Sequence, residues 1–193
     1  MISQTVQKNS ANASTNDRHS LLRRHAHAFC QALLSPPPPE ALVKEFFIPE
    51  ADGKNPTIRE HGPSWATVHL PFLGRDFVGF HSTIEYFELL ARTLKMHLDK
   101  DSFPGEDGFV VDTNANRVAV VGKGKFESVE TGRSWDEKFS YVLSGWDEEG
   151  RLGRWDIWAD PLSAWAAVSD QDINGWHKGE HRSLMSVVQH MRA

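Results

Sequence analysis

One cysteine in 193 residues leaves no partner for an intramolecular disulfide and no thiolate pair for a metal or an iron–sulfur cluster. Cys30 lies in an apolar helical run with Phe29, Leu33 and Leu34, and reads as a buried structural thiol rather than a nucleophile. No stretch approaches the roughly 20 apolar residues that a membrane-spanning helix needs. Met1 to Asp17 is rich in Ser, Asn and Thr and lacks the apolar core of a signal peptide. A soluble, cytoplasmic protein with no membrane contact is the expectation. Excess positive charge is missing too: the formal net charge is −5, the isoelectric point is near 6.0, and Lys and Arg are scattered. Without a basic footprint, nucleic acid is not an expected partner.

Several chemical signatures are also missing. No Gly-x-Gly-x-x-Gly, phosphate loop, Gly-x-Ser-x-Gly elbow or Cys-x-x-Cys occurs, so nucleotide cofactors and serine hydrolysis lose support. His177 and His181 are four residues apart, but Gly175 and Gly179 make a helix poor there and no third ligand is evident, so no metal site is expected. What survives is cofactor-free proton transfer, or plain binding.

What the chain does have is aromatic mass, with seven Trp and eleven Phe among 39% hydrophobic residues. That suits a single globular domain, since a chain of this length removes roughly 70% of its surface from water. Leu21, Leu22, Ala26, Phe29, Leu33 and Leu34 predict a helix over residues 20–35, ended by the Pro36–Pro39 run. A short helix over Glu40–Phe47 and a loop carrying Pro49, Gly53 and Pro56 follow. Trp65–Leu70, bounded by prolines, reads as a short strand. The spacing of Phe80, Ile84, Phe87, Leu90 and Leu94 predicts an amphipathic helix over Val78–Leu94, with Asp76 placed to cap it. The second half is extended: Met96–Phe103, Phe109–Asp112, Arg117–Glu130, Ser134–Trp146 and Leu152–Asp160, with hairpin signals at residues 130–133 and 147–150. Leu162–Val168 adds a helical turn, and Ser183–Met191 a possible last helix. Helices followed by an antiparallel meander make an α+β layout, with bends at Gly122, Gly124 and Gly145.

Alternation decides which side chains share a face. Trp135, Glu137, Phe139, Tyr141 and Leu143 share one, which either walls a cavity holding a single carboxylate or leaves Glu137 at a solvated strand end. Arg154, Asp156, Trp158 and Asp160 share another, with Trp155, Ile157 and Ala159 on its reverse. An aspartate beside indole in a half-dry pocket has its pKa raised, which makes Asp160 and Asp156 acid/base candidates. The alternative for Asp160, which precedes Pro161, is a strand-end residue bonding its own following backbone. His97 and Asp99 share a strand face, as an imidazole oriented by a carboxylate would. His69 and His81 either line a cavity or face water.

Three stretches carry a resemblance: Pro71–Asp76 leading into Ile84-Glu85-Tyr86-Phe87, Thr131–Trp135 at a hairpin, and Gly150–Pro161 with its Trp155-Asp156-Ile157-Trp158-Ala159-Asp160 ending. Over about Leu21 to Val168 the chain resembles the nuclear transport factor 2-like superfamily, in particular its SnoaL-like polyketide cyclase branch. The resemblance implies a cone-shaped, strongly bent antiparallel sheet wrapped around N-terminal helices with an internal pocket. The expected domain spans residues 20–168, between a tail (1–19) whose Ser-, Asn- and Thr-rich composition reads as disordered and a C-terminal extension (169–193). The resemblance also implies a cofactor-independent cyclase, isomerase or dehydratase acting on a hydrophobic, oxygenated molecule, such as a polyketide or terpenoid intermediate of secondary metabolism.

Asp160 matches the family's acid/base position at the end of the last long strand, with Asp156 and His97 as further catalytic candidates. Trp65, His69, Tyr86, Glu137, Tyr141 and Trp158 are the expected substrate-binding residues. Because the resemblance implies paired sheets, and because Trp155 and Ile157 are read as facing outward, a homodimer is expected. The competing reading is a non-catalytic small-molecule-binding or dimerisation module of the same fold.

Overall fold

Met1–Ser35 contains neither glycine nor proline, and a single helix, α1, runs through it over Ile2–Ala32. It thus extends through the stretch expected to be a tail, since nothing there breaks a helix. The structure, a computed structural model, describes residues 2–51 and 53–169, with side chains from residue 16 onward. The expected helix at Ser183–Met191, His177 and His181 lie outside the described residues. Pro39 opens α2 (Pro39–Phe46) at a position where a missing amide proton costs nothing.

β1 (Thr57–Glu60) follows, in residues the sequence reading leaves within or beside a loop. Ser64–Val68 then forms a 3₁₀ helix where a strand was expected, because Pro63 fixes the turn and the Ala66 amide donates to its carbonyl at 3.0 Å. β2 (Asp76–Val78) leads into α3 (Phe80–Thr93). Asp76 does not cap α3: it lies within β2, and the Phe80 amide donates to Glu50 Oε1 at 2.5 Å instead. Between them Gly79 takes φ +93°, a conformation that favours glycine, whereas the nearby Glu50 carboxylate could swing away from an added Cβ.

β3 (Leu94–His97), β4 (Val110–Asp112), β5 (Arg117–Ser128), β6 (Ser134–Ser144) and β7 (Arg154–Trp158) complete the sheet, and α4 (Pro161–Val168) closes the described chain. The strand order is β2-β1-β7-β6-β5-β3, with β4 also on β5. Every pairing is antiparallel except β1 with β7, which run parallel with Glu60 opposite Ile157. The architecture is α+β.

The inner face of the sheet packs on α1, α3 and α4. Trp155 meets Phe29 of α1 edge-on with ring centroids 5.0 Å apart, and Tyr141 of β6 at 4.9 Å. Trp155 and Ile157 are 2% and 4% exposed, so they face this chain's own core. The expectation that they face outward is therefore corrected, and with it goes that reason for a homodimer. Alternation puts the more apolar face of a half-buried strand inward, and here that rule outranks the chemistry of the acidic face. Cys30 is fully buried on α1, and burial pushes its thiol far above the usual range. A thiol reagent such as Ellman's is expected to label it only at the rate of unfolding. Rapid labelling of the native protein would contradict the packing described here.

Candidate functional site

The inner faces of the strands supply the walls of a cavity, and the chain's alternation places the polar groups in it. On β6, Trp135, Glu137, Phe139 and Tyr141 all line it, as the alternation indicates. On β7 it is Trp155 and Ile157, followed by Ala159 and Asp160. Tyr86, Phe87 and Leu90 come from α3, Ala164 from α4, and Leu33 from the turn that follows α1. The cavity's volume is about 40 Å³, room for roughly three waters.

The residue that sequence reasoning missed is Glu60. It ends β1, is 8% exposed, and accepts a 2.8 Å hydrogen bond at Oε2 from the Tyr86 hydroxyl. Burial raises its pKa from the ordinary 4.5 to about 7, the Tyr86 bond opposes the rise, and the Glu137 charge adds to it. The Tyr86 hydroxyl is in turn pushed well above its usual value by its own burial and by Glu60. Glu137 shares the cavity. Its Oε2 accepts from the Trp135 indole at 2.9 Å and from the Asp160 amide at 3.1 Å. Desolvation raises its pKa against these two bonds. Tyr141 lies between the carboxyls electrostatically: burial, then Cys30, Glu60 and Glu137 raise its hydroxyl pKa. A carboxyl group near pH 7 in an aromatic cavity can both take and return a proton under ordinary conditions.

The sequence carries no clear local signal for Glu60. Thr57-Ile58-Arg59-Glu60 alternates half-buried with buried, and a strand of four residues is too short for the pattern to stand out. Its pairing partner, β7, lies almost 100 residues on in the chain.

The other expected site residues sort themselves. Tyr86, Glu137, Tyr141 and Asp160 line the cavity. Asp160, however, spends its carboxylate as the N-cap of α4, accepting from the Leu162 and Ser163 amides at 3.1 Å each and from the Ser163 hydroxyl at 2.6 Å. Asp156 does not face the cavity. It turns to the outer side of the sheet, where Arg154 reaches it at 2.7 Å and His61 at 2.9 Å. Burial opposes its ionisation, but those two partners prevail and hold its pKa below the usual carboxylate range. Trp158, 44% exposed, stacks on His61 on that same outer side. His97 is on the surface and bonds Glu127 at 3.2 Å rather than Asp99, because β3 ends at His97 and the chain turns. Trp65 is 64% exposed on the 3₁₀ helix, and His69 beyond it is exposed as well. For Asp156, His97, Trp65, His69 and Trp158, then, placement in the cavity is corrected.

Cap and acid make different demands on Asp160. Asp160→Asn keeps the capping oxygen and is expected to change stability by a few tenths of a kcal/mol, whereas Asp160→Ala is expected to cost about 1 kcal/mol in urea unfolding. An equal loss in both would contradict the capping role.

No protein-family model matches the sequence, and no curated protein matches it. Solved structures do. An NTF2-like protein of unknown function from Burkholderia pseudomallei aligns with 77% of this chain and 98% of its own, at 17% identity and a TM-score of 0.59. A candidate isomerase from Bacillus subtilis aligns over 80% of this chain and 96% of its own, at 13% identity and a TM-score of 0.57. A candidate SnoaL-like polyketide cyclase from Jannaschia sp. aligns over 76% and 92%, at 11% identity and a TM-score of 0.51. The chain has the nuclear transport factor 2-like fold.

Proposed function

We propose that this chain is a cofactor-independent acid/base enzyme, a cyclase, isomerase or dehydratase, that takes a hydrophobic, oxygenated small molecule into the cavity and moves a proton on it with Glu60. The observation that carries the reading is a carboxyl group buried at the cavity wall, hydrogen-bonded to Tyr86 and tuned to about pH 7. Glu60 Oε2 is engaged by Tyr86, which fixes the carboxyl orientation and leaves Oε1 for the substrate. Glu137, fastened by the Trp135 indole and the Asp160 amide, is the second carboxyl of the site and orients substrate or water. Asp160 acts through that amide and through capping α4, as a positioning residue. Structural neighbours of this fold include a candidate isomerase and a candidate SnoaL-like polyketide cyclase, which supports this reading.

The competing reading, a binding module without turnover, is favoured by one observation: the space of about 40 Å³ is small for a substrate-sized cavity. An untargeted metabolite comparison of producing cells carrying wild type or Glu60→Gln separates the two. With the variant folded and equally abundant, an accumulating intermediate and a vanished product support the enzyme. Matching profiles favour the binding module.

A further inference from the structure

The cavity holds about 40 Å³, whereas a pocket for a drug-sized ligand holds roughly 300–1,000 Å³. One of its walls is α4, which contributes Ala164 and, as its N-cap, Asp160. An eight-residue helix has little stability of its own and depends on its seat. That seat is light: the buried residues of α4 are Ala164, Ala166, Ala167 and Val168, whose small side chains give up little on leaving. It is also imperfect. The Trp165 indole packs edge-on against Trp65 and His69, ring centroids 5.7 and 6.0 Å away, and its Nε1–H is buried with no acceptor among the described residues. A donor so placed has lost its bond to water, and displacement of the helix returns it.

The hydrogen bonds that fasten α4 lie at its two ends. The Asp160 amide donates to Glu137 Oε2 at 3.1 Å, and the Thr131 hydroxyl donates to the Ala167 carbonyl at 2.8 Å. Glu137 is on β6 and Thr131 on the turn that leads into it. The cap travels with the helix, because the Asp160 carboxylate bonds Leu162 and Ser163. A rotation at Ala159, between the end of β7 and the cap, therefore moves α4 as a folded unit.

Resting on the reading that the cavity takes a small molecule, we propose that α4 is its gate. The helix turns outward about Ala159 as the Glu137 and Thr131 bonds release, the Trp165 N–H meets water, and the ligand enters through the space left behind. The volume of about 40 Å³ belongs to the closed state. Opening breaks no strand pairing, so it precedes global unfolding.

The test follows methyl methanethiosulfonate, a small neutral thiol reagent, on the full chain carrying Leu90→Cys. Position 90 lines the cavity, and Cys30, fully buried on α1, reports global unfolding in the same molecules. The introduced thiol is expected to react about tenfold faster than Cys30, as a local opening allows. Adding Thr131→Val is expected to speed it roughly five-fold, the worth of one hydrogen bond, and Thr131→Ser, which keeps the hydroxyl, to leave it unchanged. Val118→Ala, in the core on β5, is expected to speed Cys30 and not the introduced thiol, because opening of α4 leaves Val118 packed. If Leu90→Cys does not fold, solvent exchange of the Trp165 indole proton, assigned by Trp165→Phe, decides alone: Thr131→Val is expected to speed it and Val118→Ala is not. A cavity thiol no faster than Cys30, indifference to Thr131→Val, or an equal response to Val118→Ala overturns the gate. Its failure is separable from that of the parent reading. A gate in a protein whose Glu60→Gln metabolite profile matches wild type leaves a gated binding module, and no gate with a vanished product leaves an enzyme with another entrance.

Discussion

Glu60→Gln is expected to lower turnover of the natural substrate by 10²- to 10⁴-fold, the usual contribution of a positioned general acid/base, while making the protein more stable at alkaline pH. The two effects have one cause. A carboxyl whose folded pKa is raised from 4.5 to about 7 binds its proton more tightly in the folded than in the unfolded state. The stabilisation from that proton is complete below pH 4.5 and is lost as pH rises toward 7. Integrated over that window the loss is roughly 3 kcal/mol, and above it the wild type carries a buried charge. Glutamine is neutral at every pH and its side-chain oxygen still accepts from Tyr86. Urea unfolding of wild type and variant is therefore expected to coincide near pH 4 and to diverge by roughly 3 kcal/mol in the variant's favour by pH 8. Parallel curves at both pH values would show that Glu60 is not buried as a proton carrier.

Gly153→Ala is the largest structural effect expected from the loss of no interaction at all. A Cβ at Gly153 would lie 2.4 Å from the Gly145 carbonyl oxygen and 3.0 and 3.1 Å from the C and Cα of Gly145, all backbone atoms that cannot swing aside. Gly145 itself holds φ +68°, so the two glycines form one close crossing at the turn from β6 to β7. Relieving the clash shifts the start of β7, and with it Trp155 and Ile157 on the cavity wall. The expected cost is about 2–3 kcal/mol, read as a fall in Tm of roughly 5–10 °C for a chain of this size. Gly105→Ala is the control, since a Cβ there meets nothing within 4 Å and the backbone is extended. A similar loss in both would place the cost in glycine replacement generally rather than in the crossing.

The sequence shows β6 most clearly, because eleven residues alternate without interruption and the face of Trp135, Glu137, Phe139 and Tyr141 lines the cavity as the pattern indicates. Helix α3 is legible for the corresponding reason at a period of 3.6, its ends within a few residues of Phe80–Thr93. The phase of β7 was also written there, but the pull of Asp156 and Trp158 as chemical groups led to the wrong face. The polar side faces out, where Arg154 and His61 satisfy Asp156. Asp160 lay at the right place with another duty, since an aspartate before Pro161 is better placed to cap the next helix than to meet a ligand. Glu60 was not legible, because its burial follows from a parallel pairing with a distant strand and from Tyr86 on a different helix. Neither leaves a local trace in four residues.

Glu60 in the native protein can be titrated directly, by carbon-13 NMR of its side-chain carboxyl, assigned by its absence in Glu60→Gln and followed from pH 3 to pH 9. The midpoint is expected near pH 7, moving higher still in Tyr86→Phe, where the hydrogen bond that favours the charged form is gone. A carboxyl that titrates near 4.5 and ignores Tyr86→Phe would contradict the account at its centre.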